Sequence, residues 1–418
     1  MQIDVGRLRG ALLGAAVPGL AAGAALAQDG PTVDVIHWLT AGAESAAVQV
    51  LADAVEARGG TWVDSAAPGG GADARASLMS RMAGGDPPGA SFLALGPEAI
   101  ELGQGGALRD VRAVAEANGL DRIAPVMVEI GSAPDGALYA LPIGLETQNL
   151  VFYSPEALEA AGVAMPGDWQ GVLDAVPALE AAGIIPVAVG AQGWQLGILM
   201  SSIIVGTGGA DLYRATIMEH DAEAARGEGM VEAFRVLRAL SEAADAGAAN
   251  RAWNDTLNLV AEGRAAMQVM GSWAGAELAA MGLEQGTAWD CALAPGSEAV
   301  VVEGAGFMFP AQASEEAEAG QDILVEVLLD PEVQVEFARL KGAVPPSEGA
   351  DVSGLDSCTR LAADAMGGEA GAVATISASV SPDAWGQIQD MLANYWSDPS
   401  ITPEAGAESL AAILGREG

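Results

Sequence analysis

Apolar runs of strand length and amphipathic segments alternate along almost the whole of this 418-residue chain. The first pair is representative: residues 33–38 form a mostly apolar run, and residues 44–58 then carry Val48, Leu51 and Val55 at helical spacing. Strands that alternate with helices are typical of layered α/β proteins, in which helices cover the faces of largely parallel sheets. The alternation therefore predicts an α/β fold.

The first 27 residues have the features of an export signal. Arg7 and Arg9 precede an apolar, small-residue run at 10–25, and Ala25-Leu26-Ala27 supplies the small-x-small cleavage pattern. That run is too short and too rich in glycine for a lasting membrane anchor, and no later segment is a convincing span. We expect an exported, soluble mature protein of roughly 390 residues, which is more than one hydrophobic core usually serves and so predicts two lobes.

Three segments could cross between the lobes, at residues 139–146, 300–309 and 342–346, each interrupted by glycine or proline. Three crossings mean that each lobe is assembled from separated pieces of the chain. We therefore predict an N-terminal lobe from residues 28–142 and 305–343, and a C-terminal lobe from residues 143–304 and 344–418.

The charge balance excludes several classes of partner. The chain has 56 acidic and 18 basic residues, a net charge of −38, and Lys341 is its single lysine. DNA, RNA and anionic lipid bind through basic patches that release counterions, and such patches are missing here. The scattered acidic residues indicate a solvated, salt-tolerant surface.

Sequence motifs for catalysis are missing, and the cysteines indicate a structural role. Met270 stands where G-x-S-x-G would need its first glycine, and neither H-E-x-x-H nor a phosphate-binding loop occurs. The glycine-rich segments 69–71 and 206–209 lack nucleotide-binding spacing and are interpreted as turns. Cys291 and Cys358 are expected to form one disulfide, because a metal site or catalytic thiol would need partner histidines and the chain has two. A hydrolase with paired carboxylates stays open.

Tryptophan is abundant, with nine residues against six phenylalanines and four tyrosines. The apolar run at 265–270 stops at a glycine and presents Ser272 and Trp273 at a strand end, where α/β proteins bind ligands. Trp38, Trp194 and Trp253 also lie at element ends. Core packing is the alternative for each ring taken singly, but aromatic rings and polar side chains together suit a sugar. The polar candidates near them are Glu44, Glu146, Asn149, Gln195 and Asn254.

Nine segments, in order, resemble the carbohydrate-binding proteins of ABC importers, family-1 extracellular solute-binding proteins, and above all their glucose/mannose-binding branch. These segments are HWLTAGAE (37–44), GGTWVDSAAPGGGAD (59–73), GDPPGA (85–90), AAGIIPVAVGAQGWQ (181–195), VGTGGADLYR (205–214), WN (253–254), EGRAAMQVMGSWA (262–274), CALAPGS (291–297) and ARLKGAVP (338–345). The likeness covers most of the mature chain, and the two cysteines fall where that branch carries a disulfide.

The resemblance implies a two-lobed periplasmic-binding-protein fold of type II, in which each lobe is a sheet flanked by helices and a hinge joins the lobes. By position, Trp38 and Trp273 would stack on sugar, Glu44 and Lys341 would bond hydroxyls, and Trp194 would line the site. The segment PIGLE (142–146) is similar to the maltose-type wider family, in which the glutamate matching Glu146 touches sugar. Glu44 has a second interpretation, as a favourable charge at a helix N-terminus.

Several polar residues of the glucose branch are replaced here, so the resemblance does not carry glucose over as the ligand. That branch has a second tryptophan at Leu39, a lysine near Leu95, a histidine–arginine pair at 146–147, aspartate at Ser272, and polar ligands near Ala305 and Ile376. A site that bonds hydroxyls discriminates through its polar groups. Ser272, small and neutral, is therefore included among the candidate ligand contacts.

The expected function is that of a periplasmic, non-catalytic binding protein that captures a carbohydrate between its lobes and delivers it to an ABC permease. We expect the protein to bind no metal or cofactor. We also expect it to be a monomer. The alternatives are a binding protein for a non-sugar polar solute, such as a polyol glycoside or compatible solute, and a secreted carboxylate-dependent hydrolase.

Overall fold

A computed structural model describes residues 30–68, 70–249, 251–368 and 371–417. The predicted export signal, residues 1–27, lies outside these ranges. The strands are β1 (Thr32–His37), β2 (Thr61–Ala66), β3 (Ala90–Ala94), β4 (Ala140–Thr147), β5 (Leu150–Tyr153), β6 (Ile185–Val187), β7 (Ala265–Met270), β8 (Asp290–Leu293), β9 (Val300–Met308) and β10 (Ala372–Ala374).

Helices connect the strands, as the alternating pattern predicts. They are α1 (Gly42–Ala57), α2 (Gly71–Gly84), α3 (Pro97–Gln104), α4 (Arg112–Ala117), α5 (Pro125–Ile130), α6 (Pro155–Ala161), α7 (Trp169–Ala181), α8 (Gly193–Tyr213), α9 (Ala222–Arg226), α10 (Glu228–Glu242), α11 (Trp253–Ala261), α12 (Trp273–Ala280), α13 (Glu315–Leu328), α14 (Pro331–Lys341), α15 (Ser357–Met366), α16 (Ile376–Ser379), α17 (Pro382–Ser397) and α18 (Pro403–Leu414).

The strands form two sheets of mixed direction. In the first sheet, with order β10-β9-β3-β1-β2, β1 runs parallel to β2 and β3, whereas β9 is antiparallel to β3 and β4. In the second sheet, β6-β7-β5-β8, only β6 and β7 are parallel. The expectation of largely parallel sheets is therefore wrong for the second sheet, because β5 pairs with antiparallel neighbours on both sides.

Each sheet has its own hydrophobic core. The first core contains Val35, Leu51 and Phe337, from β1, α1 and α14. The second core contains Val269 and Leu278, from β7 and α12, among a larger set of helical residues. Each of these side chains is at most 7% exposed. Burial of apolar surface at roughly 25 cal/mol per Å² makes these cores the main source of stability.

The strands β4 and β9 run between the two cores. Leu141 and Ile143 of β4 pack in the first core, and Leu150 of the following strand packs in the second. On β9 the order is reversed, with Val301 in the second core and Phe307 in the first. The pairing of β4 with β9 shifts register between Pro142 and Gly144, yet the strand continues through this point. The residue boundaries of the lobes stay a prediction.

The glycine-rich segment 206–209 lies in a helix, so its interpretation as a turn is wrong. It is part of α8, and only at Gly209, with φ of +74°, does the backbone leave helical geometry. A Cβ on Gly206 would lie 2.2 Å from the Pro295 carbonyl oxygen, so close packing explains that glycine. In the described ranges, residues 193–218 are the one helical stretch long and apolar enough to cross a membrane. The apolar window of that stretch is 61% buried in the protein, as expected for a core helix.

Cys291 on β8 and Cys358 on α15 form the disulfide that the sequence predicts. The bond links residues 67 positions apart, and Cys358 is fully buried. A cross-link over a loop of this length restricts the unfolded chain and stabilises the fold by about 2–4 kcal/mol. We expect the Cys291→Ala/Cys358→Ala double variant to lose a free energy of unfolding of that size in urea titration. An unchanged midpoint would contradict this role.

Candidate functional site

The strand β7 delivers a tryptophan to the place where α12 begins. All six residues of β7 are buried, and the chain then turns through Gly271 and Ser272 into Trp273, the first residue of α12. A Cβ on Gly271 would lie 2.1 Å from the Trp273 ring, so only glycine fits there. Trp273 is 7% exposed and packs in the second core. Its ring is therefore largely buried and does not present an open face to solvent.

Three buried charged side chains meet beside Trp273. The Lys341 ammonium nitrogen lies 2.9 Å from Oε1 of Glu146 and 3.5 Å from Oε1 of Glu44. The exposed fractions are 2% for Lys341 and 5% for each glutamate. Ion pairs this deeply buried are retained only when their partners compensate each other closely. The structure thus brings together three of the residues that the sequence analysis named as candidate ligand contacts.

Local sequence explains where each of the three charges sits. Glu44 lies in the first turn of α1 and accepts a hydrogen bond from the Ala41 N–H at 3.4 Å, so the helix-terminus interpretation also holds. Lys341 is the last residue of α14, where a cation interacts favourably with the helix C-terminus. Glu146 lies near the end of β4.

Burial and charge act against each other in this trio. Burial raises the pKa of Glu44, and the charge of Glu146 raises it further, while Lys341 opposes both. Burial by itself lowers the pKa of Lys341, but Glu146 and Glu44 more than offset it, so the lysine pKa is raised. The ammonium therefore stays charged at neutral pH, held by two carboxylates.

The Lys341 ammonium also sits over an aromatic face. Its nitrogen is 4.7 Å from the centroid of the Trp273 ring, within range of a cation–π interaction. Trp194 and Trp253 each pack 6.5 Å from Trp273, centroid to centroid. The three rings and the three charges are thus linked by direct contacts.

Glu277 joins this group, and the sequence analysis missed it. The residue is 8% exposed, and its Oε2 accepts a hydrogen bond of 2.8 Å from the Ala43 N–H at the start of α1. Because α12 packs in the second core and α1 in the first, this bond joins the two cores directly. Glu277 lies four residues after Trp273 on one helix, and that spacing places both on the same face.

Ser272 and Gly342 bring the backbones of the two cores into contact. The Ser272 N–H donates to the Thr147 carbonyl at 2.8 Å, and the Ser272 hydroxyl accepts from the Thr147 N–H at 3.3 Å. Gly342 ends α14 with φ of +69°, and a Cβ there would come within 2.4 Å of the Ser272 carbonyl oxygen. We call Glu44, Glu146, Ser272, Trp273, Glu277 and Lys341 the junction cluster.

The remaining predicted site residues lie in other settings. The Asn149 amide is fully buried and bonds two backbone groups, the Ala299 carbonyl at 2.9 Å and the Val301 N–H at 2.8 Å. The Gln195 amide donates to the Arg251 carbonyl at 2.9 Å. These contacts use the side-chain amides to hold the fold.

Trp38, Trp194 and Asn254 are the other three predicted site residues that lie outside the junction cluster. Trp38 packs against Phe92 of the first core, 4.9 Å between centroids. The Trp194 indole N–H donates to the Gln192 side chain at 3.0 Å. The Asn254 side chain accepts from the next backbone N–H, at 3.1 Å. Trp194 is in direct ring contact with the junction cluster, and Asn254 adjoins it through the neighbouring Trp253.

Glu303 is a second residue that the sequence analysis missed. It lies directly opposite Glu146 in the pairing of β4 with β9. Its Oε1 accepts hydrogen bonds from the Ser377 hydroxyl at 2.7 Å and the Thr375 hydroxyl at 3.2 Å. Burial raises the pKa of Glu303 to about 7, and the charge of Glu146 contributes.

The raised pKa of Glu303 makes stability depend on pH. Between pH 4.5 and 7 the unfolded carboxyl ionises while the folded one keeps its proton, so the stability present below this window is lost as pH rises through it. We expect Glu303→Gln, which resembles the protonated acid, to raise the free energy of unfolding at about pH 8 by on the order of 1–2 kcal/mol. The full pKa shift of Glu303 would correspond to a larger free energy. The side chain keeps some solvent contact, however, and this reduces the effect.

Urea unfolding at about pH 5 and pH 8 measures this effect. The exposed Glu298, next to the start of β9, offers a control, because Glu298→Gln changes the net charge equally. Equal pH dependence in the Glu303→Gln variant and the unaltered protein would contradict the assignment.

Comparisons with known proteins identify a matching family. A model of the bacterial extracellular solute-binding protein family matches residues 50–355. A probable sugar-binding periplasmic protein of Rhizobium meliloti (strain 1021) is 30% identical over 344 residues, which cover 82% of this chain and 83% of that protein.

Solved structures share the fold at low sequence identity. A chitin oligosaccharide binding protein has a TM-score of 0.79, with 19% identity over 93% of this chain and 99% of its own. A sugar transporter from Arthrobacter chlorophenolicus A6 with bound laminaribiose has a TM-score of 0.73, with 18% identity, 93% and 99% coverage. These likenesses confirm the two-lobed α/β fold. The chain belongs to the bacterial extracellular solute-binding protein family.

Proposed function

We propose that this protein is the periplasmic binding component of an ABC importer and that it captures a carbohydrate at the junction cluster. The observation that carries the proposal is the Lys341 ammonium, held between Glu44 and Glu146 and above the Trp273 ring. Charged groups of both signs bond sugar hydroxyls strongly, and an aromatic face packs against the apolar C–H face of a sugar. The similarity to named sugar-binding periplasmic proteins supports this ligand class.

Binding in this proposal closes a hinge. The chain crosses between the lobes in β4, in β9 and in the segment 342–346 after α14. The lobes are residues 28–142 with 305–343 and residues 143–304 with 344–418. Ligand bound between them favours the closed arrangement, in which α1 meets α12, and so shifts the population toward the form that the permease distinguishes. The protein acts as an exported monomer whose signal at residues 1–27 is removed.

Isothermal titration calorimetry after a thermal-shift screen tests the proposal. The screen covers neutral and charged mono- and oligosaccharides, polyols and compatible solutes. We expect at least one carbohydrate to bind with Kd near micromolar, about −8 kcal/mol, and to be recovered unchanged after long incubation. Release of product from a glycoside would favour the hydrolase alternative, and binding of polyols or compatible solutes alone would overturn the carbohydrate assignment.

Gly342→Ala tests closure. A Cβ at this position meets the Ser272 carbonyl oxygen, so the variant should close poorly and bind the ligand at least tenfold more weakly. Gly162 ends α6, also with positive φ, and a Cβ there meets nothing within 4 Å. Gly162→Ala therefore carries the same backbone strain without the contact, and unaltered affinity in this control separates the two effects. Equal affinities in both variants would contradict the closure role.

A further inference from the structure

We infer that the carbohydrate bound at the junction cluster carries a protonated amine, so that the ligand is a cationic amino sugar. This inference rests on the proposed function and names the class of ligand. It follows from an excess of buried negative charge at the cluster and from the position of the one buried ammonium.

Carboxylates outnumber cations at the junction. Glu44, Glu146 and Glu277 are each at most 8% exposed, and Lys341 is the one cation within ion-pair distance of any of them in the described ranges. Glu303, opposite Glu146, is left out of this balance, because burial raises its pKa to about 7 and keeps it mostly protonated at about pH 6. Excess charge away from water is unfavourable unless it is paired, so the cluster favours an incoming positive group.

Helix N-termini compensate part of this excess. The start of α1 contributes about half a positive charge beside Glu44 and Glu277, and the Ala41 and Ala43 N–H groups bond their carboxylates. With Lys341 included, the balance is about one and a half positive charges against three carboxylates. The cluster therefore stays negative without Glu303.

The Lys341 ammonium shows which chemical group the cluster accepts. It lies 2.9 Å from one carboxylate and 3.5 Å from another, and 4.7 Å above the Trp273 ring. A ring face flanked by carboxylates is a favourable environment for an ammonium group, because the electron-rich face and the anions act in the same direction. A sugar amine beside Glu277, on the α12 face that bears Trp273, meets the same combination.

Calorimetry with a matched series of sugars tests the inference. Glucosamine, glucose and N-acetylglucosamine share one ring and differ at one position, as ammonium, hydroxyl and neutral amide. The same three substituents are compared in β-1,4-linked disaccharides, in case one ring is too small. At about pH 6, where the amine is protonated, we expect the cationic member to bind at least tenfold more tightly than either neutral member.

A charge-neutral variant tests the source of the preference. Glu277→Gln keeps an oxygen that can accept from the Ala43 N–H but removes the charge, and we expect it to reduce the preference for the amine at least threefold. Glu56→Gln, about three turns further along α1 and exposed to solvent, changes the net charge equally and should leave the preference intact.

The outcomes separate this inference from the proposed function. Equal or tighter binding of the neutral members, or binding of unrelated neutral sugars only, overturns the cationic ligand and leaves the carbohydrate function standing. Failure of every carbohydrate to bind overturns both. A preference for the amine that persists unchanged in Glu277→Gln removes the buried carboxylate as its cause.

Discussion

Replacing Lys341 with methionine is expected to lower the free energy of unfolding at pH 7 by about 3–5 kcal/mol, because it leaves two buried carboxylates without their cation. Glu44 and Glu146 are each 5% exposed, so water cannot replace the ammonium without opening the junction. The loss should shrink at about pH 5, because burial raises the pKa of Glu44 and this carboxylate can then take up a proton. Urea unfolding at the two pH values measures both effects.

The same helix supplies a control. Arg339 of α14 pairs with Glu336 on the surface, with both side chains nearly half exposed, and such pairs contribute less than about 1 kcal/mol. Arg339→Met should therefore change stability little. A second test combines Lys341→Met with Glu44→Gln, which removes one orphaned charge and should recover part of the loss. Equal stabilities of the lysine variant and the unaltered protein would refute the buried charge cluster.

Replacing Trp273 with alanine is expected to lower the free energy of unfolding by about 3–5 kcal/mol, because it removes a large side chain from the second core. The same change removes the ring beneath Lys341 and the packing surface of Trp194 and Trp253. We therefore also expect Kd for the bound sugar to rise at least tenfold, about 1.4 kcal/mol. Urea unfolding and calorimetry measure the two effects separately.

Trp273→Phe distinguishes packing from recognition. Phenylalanine keeps an aromatic face and much of the buried area, so stability should recover more fully than in the alanine variant. Trp62→Ala serves as the control for binding, since this half-buried ring lies on the edge strand β2. Unchanged affinity in Trp273→Ala, measured where the variant is folded, would remove Trp273 from the site.

Local patterns were sufficient to predict most elements of the fold. The strand at 265–270 lies as predicted, and the helix expected over residues 44–58 is observed at Gly42–Ala57, because apolar periodicity acts within a few residues. The glycines of α8 were misinterpreted because their reason is tertiary: Gly206 is small to let the Pro295 carbonyl approach. Residue propensities reflect local sequence only and cannot predict that tertiary contact.

Part of the junction cluster could be predicted from the sequence, and there are physical reasons why its other members were missed. Glu44, Glu146, Trp273 and Lys341 came from their resemblance to sugar-binding relatives and do lie together. Glu303 could not be found, since its opposition to Glu146 depends on the register of two strands distant in sequence. Glu277 lies four residues after Trp273 along α12, and this spacing could have indicated that the two side chains share a helix face.

Asn149 shows the limit of residue type as a guide. An amide at a strand end can bond a sugar or the backbone, and only the three-dimensional structure shows which groups it meets. Here both ends of the amide bond the main chain near β9. The proposed site therefore centres on the junction cluster and leaves Asn149 to hold the strands together.

A crystal structure of the protein with the tightest-binding sugar tests the assignment of the junction cluster most directly. We expect the sugar ring to contact Trp273, with its polar groups bonded to Glu44, Glu146 or Lys341 and both cores in contact with the ligand. A sugar bound elsewhere, with the Lys341 ammonium and the Trp273 ring untouched, would contradict the junction cluster as the binding site.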